Sequence, residues 1–113
     1  MILGIHGAIQ PSVENLVFMK TNADKLFGED YIFSVLAVGR HELNLGTVGV
    51  IMGGCVRVGL EDNLYLGRGE LARSNADLAA KMRRIISELS FDIAAPVESR
   101  QMLGLKGKDQ TSF

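Results

Sequence analysis

The chain has 113 residues, 47% of them apolar and 22% charged, with 12 Lys+Arg against 13 Asp+Glu. That length suits one small domain, and the near-neutral balance offers no basic field for nucleic acid or anionic lipid. The single cysteine, Cys55, excludes an internal disulfide framework and fits a reducing, cytoplasmic setting, and no apolar run approaches the roughly 20 residues of a membrane span.

Met1 to Ile5 is a short apolar run that predicts a first strand. Ser12 is placed to cap a helix, with Glu14 at its positive end. Val13, Leu16, Val17, Ala23, Leu26 and Phe27 then recur at three- and four-residue spacing up to Gly28. Tyr31 to Val38, rich in β-branched and aromatic residues, predicts a strand buried on both faces. A helix over about His41 to Met52 is expected to turn Leu43, Val48, Ile51 and Met52 inward, although Gly46 and Gly49 weaken its helix propensity.

Cys55 to Glu61 predicts a third strand, with Cys55 as a small core thiol at its start. Strand alternation puts Val56, Val58 and Leu60 on a helix-facing side, and Arg57, Gly59 and Glu61 on a side that must meet a polar cavity or water. A loop follows, and Ser74 with Asp77 three residues on reads as a capping box. It opens a helix whose inner stripe is Leu78, Met82, Ile85, Ile86 and Leu89. A last helix over about Val97 to Leu103 precedes a tail, Lys106 to Phe113, expected to be frayed. This strand–helix alternation predicts an α/β protein with a parallel sheet and right-handed crossovers. The chain begins inside a strand, as the later part of a larger fold would.

The carboxyl end of a parallel strand is where α/β folds place ligands, and here it delivers Glu61-Asp62. A plainer reading has both acids capping a loop and Arg57 pairing with them on the surface. The run Gly53-Gly54-Cys55-Val56-Arg57-Val58-Gly59-Leu60-Glu61-Asp62-Asn63, with Gly69-Glu70-Leu71-Ala72 and Ser74-Asn75-Ala76 after it, resembles the β-keto acid cleavage enzymes, the zinc-dependent family typified by the 3-keto-5-aminohexanoate cleavage enzyme. The likeness extends through Ser34 to His41 upstream and Ile93 to Arg100 downstream.

That resemblance implies a TIM (β/α)8 barrel, of which this single partial domain, residues 1–113, would be about strands six to eight with their helices. Three eighths of a barrel of about 250 residues is roughly 94 residues, and a C-terminal helix accounts for most of the rest. It further implies that Glu61 is a zinc ligand, that Asp62 is the general base acting next to a substrate keto group, and that Arg57 orients Asp62 and keeps it ionised. Zinc polarises the keto oxygen in that family, the carbanion attacks the co-substrate acetyl-CoA, and a retro-Claisen step splits the adduct. A glycine at position 59 is expected to leave room for substrate above the strand.

A catalytic zinc normally has three protein ligands, and the family supplies two of them as a His-x-His pair on an early strand. This chain has no His-x-His, and the carboxylate-binding Ser and Thr of the earlier strands are absent too. His6 and His41 follow the first two strands and could join Glu61, or could be ordinary loop and helix-cap histidines. Arg68, in the loop Tyr65 to Gly69 where many barrels hold phosphate, is a candidate for the CoA phosphates or the substrate carboxylate, or a solvated turn residue. Three strands covered on one face need a complementary barrel half or self-association. The expected partners are therefore a β-keto acid, acetyl-CoA and further barrel strands, with no nucleic acid and no membrane. The alternatives are a self-associating, non-catalytic barrel fragment and a truncated inactive product.

Overall fold

A computed structural model describes residues 1–107, 110 and 111; Lys108, Asp109, Ser112 and Phe113, in the tail expected to fray, lie outside the described residues. The first strand, β1 (Ile2–Leu3), pairs in parallel with β2 (Ser34–Ala37), and β2 with β3 (Cys55–Val56), in the order β1-β2-β3. Leu3 faces Ala37 across one ladder and Val35 faces Val56 across the other. Parallel neighbours need crossovers, and two helices provide them: α1 (Val13–Phe27) between β1 and β2, and α2 (Glu42–Ile51) between β2 and β3.

Ser12 caps α1 as its sequence position predicts, its hydroxyl accepting from the Asn15 amide at 3.2 Å. Gly28 ends the helix at φ 61°, a conformation open to glycine, with its N–H on the Asp24 carbonyl. Only Leu16 of α1 is fully buried. Val13, Val17, Leu26 and Phe27, which share the helical spacing of Leu16, are exposed, and Leu16 alone of that set joins the core cluster.

Helix α2 lies closer to the sheet than its large residues would allow. Its buried positions are Glu42, Leu45, Gly46 and Gly49, while Ile51 of the predicted inner set is exposed. A Cβ at Gly49 would sit 2.4 Å from Val35 Cγ2, and one at Gly46 would sit 2.6 Å from Val56 Cγ2. The glycines that weaken this helix locally are what let it lie on β2 and β3, so the small-residue face turns inward.

The core gathers Leu3, Leu16, Val35, Ala37 and Leu45, and each buried leucine contributes about 1.5–3 kcal/mol. Val35, Leu36 and Ala37 are buried, whereas Ile32 and Ser34 of the same predicted strand are exposed, so the strand is covered on both faces only toward its carboxyl end. The strands are shorter than predicted, and the opposite sheet face leaves Ile2, Ser34 and Cys55 exposed. Cys55 is thus a surface thiol and not a core one, because alternation hands the α2 side to Val56.

The predicted loop after β3 contains a hairpin, β4 (Tyr65–Gly67) against β5 (Glu70–Leu71), closed by Arg68 and by Gly69 at φ 77°. Helix α3 (Asn75–Glu88) starts at Ser74, whose hydroxyl accepts from the Asp77 amide at 3.2 Å. The Asp77 carboxylate accepts from the Arg73 N–H at 2.9 Å, one residue earlier than a standard capping box. Leu78 and Met82 are buried, and Leu89, expected in the same stripe, is exposed. Helix α4 (Pro96–Met102) follows, with Glu98 accepting from the Ala95 N–H at 2.6 Å.

Candidate active site

At the carboxyl end of β3 the chain leaves the sheet. The Arg57 N–H still donates to the Val35 carbonyl at 3.0 Å, the last bond of that ladder. Beyond it, the Gly59 N–H donates instead to Glu42 Oε1 at 2.8 Å, and the Leu60 N–H to Asn75 Oδ1 at 2.8 Å. The Gly59 carbonyl accepts from the amides of Asp62 and Asn63, both at 3.1 Å, and the Gly39 N–H holds the Asp62 carbonyl at 2.7 Å. Residues 60–62 are therefore a turn, and the predicted strand to Glu61 ends early because side chains at the starts of α2 and α3 capture its amides.

Gly59 is buried, and a Cβ there would meet Asn75 Oδ1 at 3.2 Å. Its missing side chain makes room for Asn75 at the start of α3. Asn63 locks the exit: its amide donates to Glu42 Oε2 at 3.1 Å and to the Tyr65 carbonyl at 2.7 Å, and its oxygen accepts from the Tyr65 N–H at 3.0 Å.

The turn brings the three predicted residues together. Arg57 Nη2 donates to Glu61 Oε2 at 2.6 Å and to Asp62 Oδ2 at 3.2 Å. Their side chains differ sharply in exposure: 54% for Arg57, 82% for Glu61 and 12% for Asp62. Asp62 is the sheltered carboxylate with a cation held against it, and Glu61 is the open one. Such a trio can orient a base and leave a second acid free to bind.

Glu42 and Asn63, which the sequence pattern did not single out, are the buried polar residues beneath this turn. Burial pushes the Glu42 carboxyl up from its ordinary range, with the nearby Asp62 charge acting in the same direction, against the two donors that favour its ionised form. The legible signal was an acid at spacing 42, 45, 46, 49, on the helix face that carries Leu45 and the two glycines.

Glu61 can supply one metal ligand. No group of three His, Cys, Asp or Glu side chains is gathered to hold a metal among the described residues. His6 is exposed, and His41 accepts from Arg40 Nε at 3.1 Å, so the two histidines and Glu61 do not assemble a site. The donors present therefore do not make a zinc centre by themselves. Arg68 stands in the hairpin turn, exposed, on a cleft of about 740 Å³ that Arg40, Asn63, Tyr65 and Lys81 also line. Lys81 donates there to the Leu66 carbonyl and ties the hairpin to α3. A larger cleft, about 970 Å³, includes Phe33, Gly54 and Cys55 at the other end of β2 and β3, away from the acids.

Residues 1–105 match the family model for beta-keto acid cleavage enzymes. A "3,5-dioxohexanoate:acetyl-CoA acetone transferase" of Paraburkholderia graminis is 46% identical over 112 residues, 99% of this chain and 36% of the relative. A "3-keto-5-aminohexanoate cleavage enzyme" of Fusobacterium nucleatum is 40% identical over 105 residues, 93% of this chain and 36% of the relative. A "3-oxoadipate:acetyl-CoA acetyltransferase" of Cupriavidus necator is 31% identical over 104 residues, 92% of this chain and 36% of the relative. The chain thus spans about 36% of the length of these curated relatives. With the family match covering nearly all of it, the chain belongs to the β-keto acid cleavage enzymes.

Proposed function

We propose that this chain carries the proton-abstracting end of an acetyl-CoA-dependent β-keto acid cleavage reaction, as the part of a TIM (β/α)8 barrel that contains strands six to eight. The observation that carries the reading is Arg57 bridging Glu61 and Asp62, at 2.6 and 3.2 Å, at the carboxyl end of a parallel strand. Asp62 accepts a proton from the carbon next to the substrate keto group. Arg57 holds one oxygen of Asp62 and leaves the other for the substrate. The carbon so deprotonated attacks the acetyl-CoA carbonyl and expels the CoA thiolate. The thiolate then adds to the original keto carbon, whose bond to the newly acylated carbon breaks in a retro-Claisen step. This gives a new acyl-CoA and an acetoacetate-type carbanion that takes back the proton from Asp62.

Glu61 is assigned as the one zinc ligand of this chain, its carboxylate open on the side away from Arg57. The remaining ligands come from outside residues 1–113, because one carboxylate falls short of the three a catalytic zinc needs. A zinc ion held by Glu61 and such further ligands would supply Lewis acidity at the keto oxygen. Arg68, beside Arg40 on the hairpin cleft, is assigned to an anionic group of CoA or substrate. The exposed sheet face at Ile2, Ser34 and Cys55 is assigned to contact with complementary strands, from the rest of a barrel or a second copy, in the cytoplasm. No helix among the described residues is long and apolar enough to cross a membrane.

The test mixes the chain with the preceding two thirds of the Paraburkholderia relative and follows acetyl-CoA-dependent loss of a β-keto acid. Asp62→Asn is expected to lower turnover by about 10²–10⁴-fold. Zinc retained by the mixture is expected to fall with Glu61→Gln. Full activity in Asp62→Asn removes the reading.

A further inference from the structure

Among the described residues Glu42 is the one charged side chain with no exposed surface, and it belongs to neither ion pair of Arg57. We propose that Glu42 is a positioning residue: it fixes the turn on which Glu61 and Asp62 stand, and through it the place of Asp62 relative to Arg57 and to the substrate carbon. This rests on the assignment of Asp62 as the base.

Core filling does not account for the residue. A buried carboxylate is costly unless its oxygens are hydrogen-bonded, and leucine would fill the same space without that cost. The two partners of Glu42 belong to the turn itself. One oxygen takes the Gly59 N–H at 2.8 Å, and the other takes the Asn63 amide at 3.1 Å. These bonds hold the residues on either side of Leu60, Glu61 and Asp62. Gly59 is buried, so its N–H loses a partner and has no water in reach if Glu42 is removed. Asn63 is bound a second time through Tyr65, so the clamp holds the turn's exit as well as its entry. Glu42 opens α2, whose glycines seat the helix directly on β2 and β3, and its carboxylate is therefore carried on a fixed support.

The experiment measures amide exchange along the full 113-residue chain for the wild type, Glu42→Gln and Glu42→Leu, with α3 as the internal reference. Leucine leaves the Gly59 N–H unpaired, and its exchange is expected to rise about tenfold or more, with α3 unchanged. Glutamine keeps one acceptor for Gly59 and loses the bond from Asn63, so an intermediate rise is expected. In the reconstituted assay, turnover is expected to fall in the same order while KM changes little. Gly59 exchange in the wild type as fast as at Glu61, equal protection in the wild type and Glu42→Leu, or a loss in Glu42→Leu spread evenly over α3 overturns the proposal. Should exchange follow the expected order while Asp62→Asn keeps full turnover in the reconstituted assay, the clamp stands and the assignment of Asp62 falls instead.

Discussion

Gly49→Ala tests how α2 is seated. The new methyl would lie 2.4 Å from Val35 Cγ2 and 2.8 Å from Val35 Cβ, where ordinary contacts begin near 3.4 Å. Relief requires about 1 Å of separation between α2 and β2, since both Val35 atoms lie inside the repulsive wall. Val35 has no exposed surface and a stiff, β-branched χ1, so it cannot swing aside. Overpacking of this kind costs about 1–3 kcal/mol, and alanine returns about 1 kcal/mol of helix propensity. The net expectation is a loss of up to about 2 kcal/mol in urea unfolding of the chain. Gly46→Ala is the control: it meets Val56 at 2.6 Å and the flexible end of Met82 at 3.1 Å. Val56 is only partly buried, so that variant should lie within about 1 kcal/mol of the wild type. Val35→Ala combined with Gly49→Ala should be less destabilised than the two single losses together, by about 1 kcal/mol, because the Cγ2 clash is gone. Gly49→Ala as stable as Gly46→Ala, or strictly additive with Val35→Ala, would refute the close-seating account.

Ser90 has φ 61° just past α3, where its N–H reaches the Ser87 carbonyl at 2.9 Å and the Phe91 N–H reaches the Ile86 carbonyl at 3.2 Å. Ser90→Gly is expected to stabilise the chain by about 1 kcal/mol, read as a higher melting temperature. At the other end of the same helix, Ser74→Ala removes the hydroxyl on the Asp77 amide and should cost about 1 kcal/mol by urea unfolding. The raised Glu42 pKa means that the native state holds this proton more tightly than the unfolded chain, so its contribution to stability is present in acid and is lost as pH rises through the folded value. Unfolding midpoints of Glu42→Gln should therefore gain on those of the wild type as pH climbs above the usual glutamate range; a constant difference would contradict the shift.

What was legible in the sequence was local chemistry. Ser12 and Ser74 announce their helices because a cap is decided within four residues, and both hydroxyls bond as expected. Strand lengths were less legible. The alternation of Val56, Val58 and Leu60 continues past the point where the ladder ends, and pattern alone does not reveal that Glu42 and Asn75 take the next two amides. Apolar size misorients α2 by ranking Ile51 above Gly49, whereas backbone proximity to β2 ranks them the other way. The hairpin was readable from Arg68-Gly69 between short apolar runs, since the turn needs the positive φ that Gly69 adopts. Arg57, Glu61 and Asp62 could be picked out as residues. Their approach depends on a turn built from bonds 15 and 17 residues apart, which no local pattern carries.

The same geometry separates what holds the site from what the site does. Arg57 and Glu61 meet at 2.6 Å, but with 54% and 82% of their side chains exposed the pair contributes about 0–1 kcal/mol to the fold. Stability at this corner comes from below, where Gly59 and Asn63 bond a carboxylate out of reach of water. Exposure then divides the two acids. Glu61 is open to a ligand from outside, and Asp62, sheltered and held by Arg57, keeps a lone pair aimed from a fixed backbone. In its proposed role as a base, Asp62 tolerates little drift, since a misplacement of about 1 Å can cost about 10²-fold in rate. Rigidity is thus demanded of the turn rather than of the charged tips, and the buried polar side chains among the described residues, Glu42 and Asn63, are the ones that brace it.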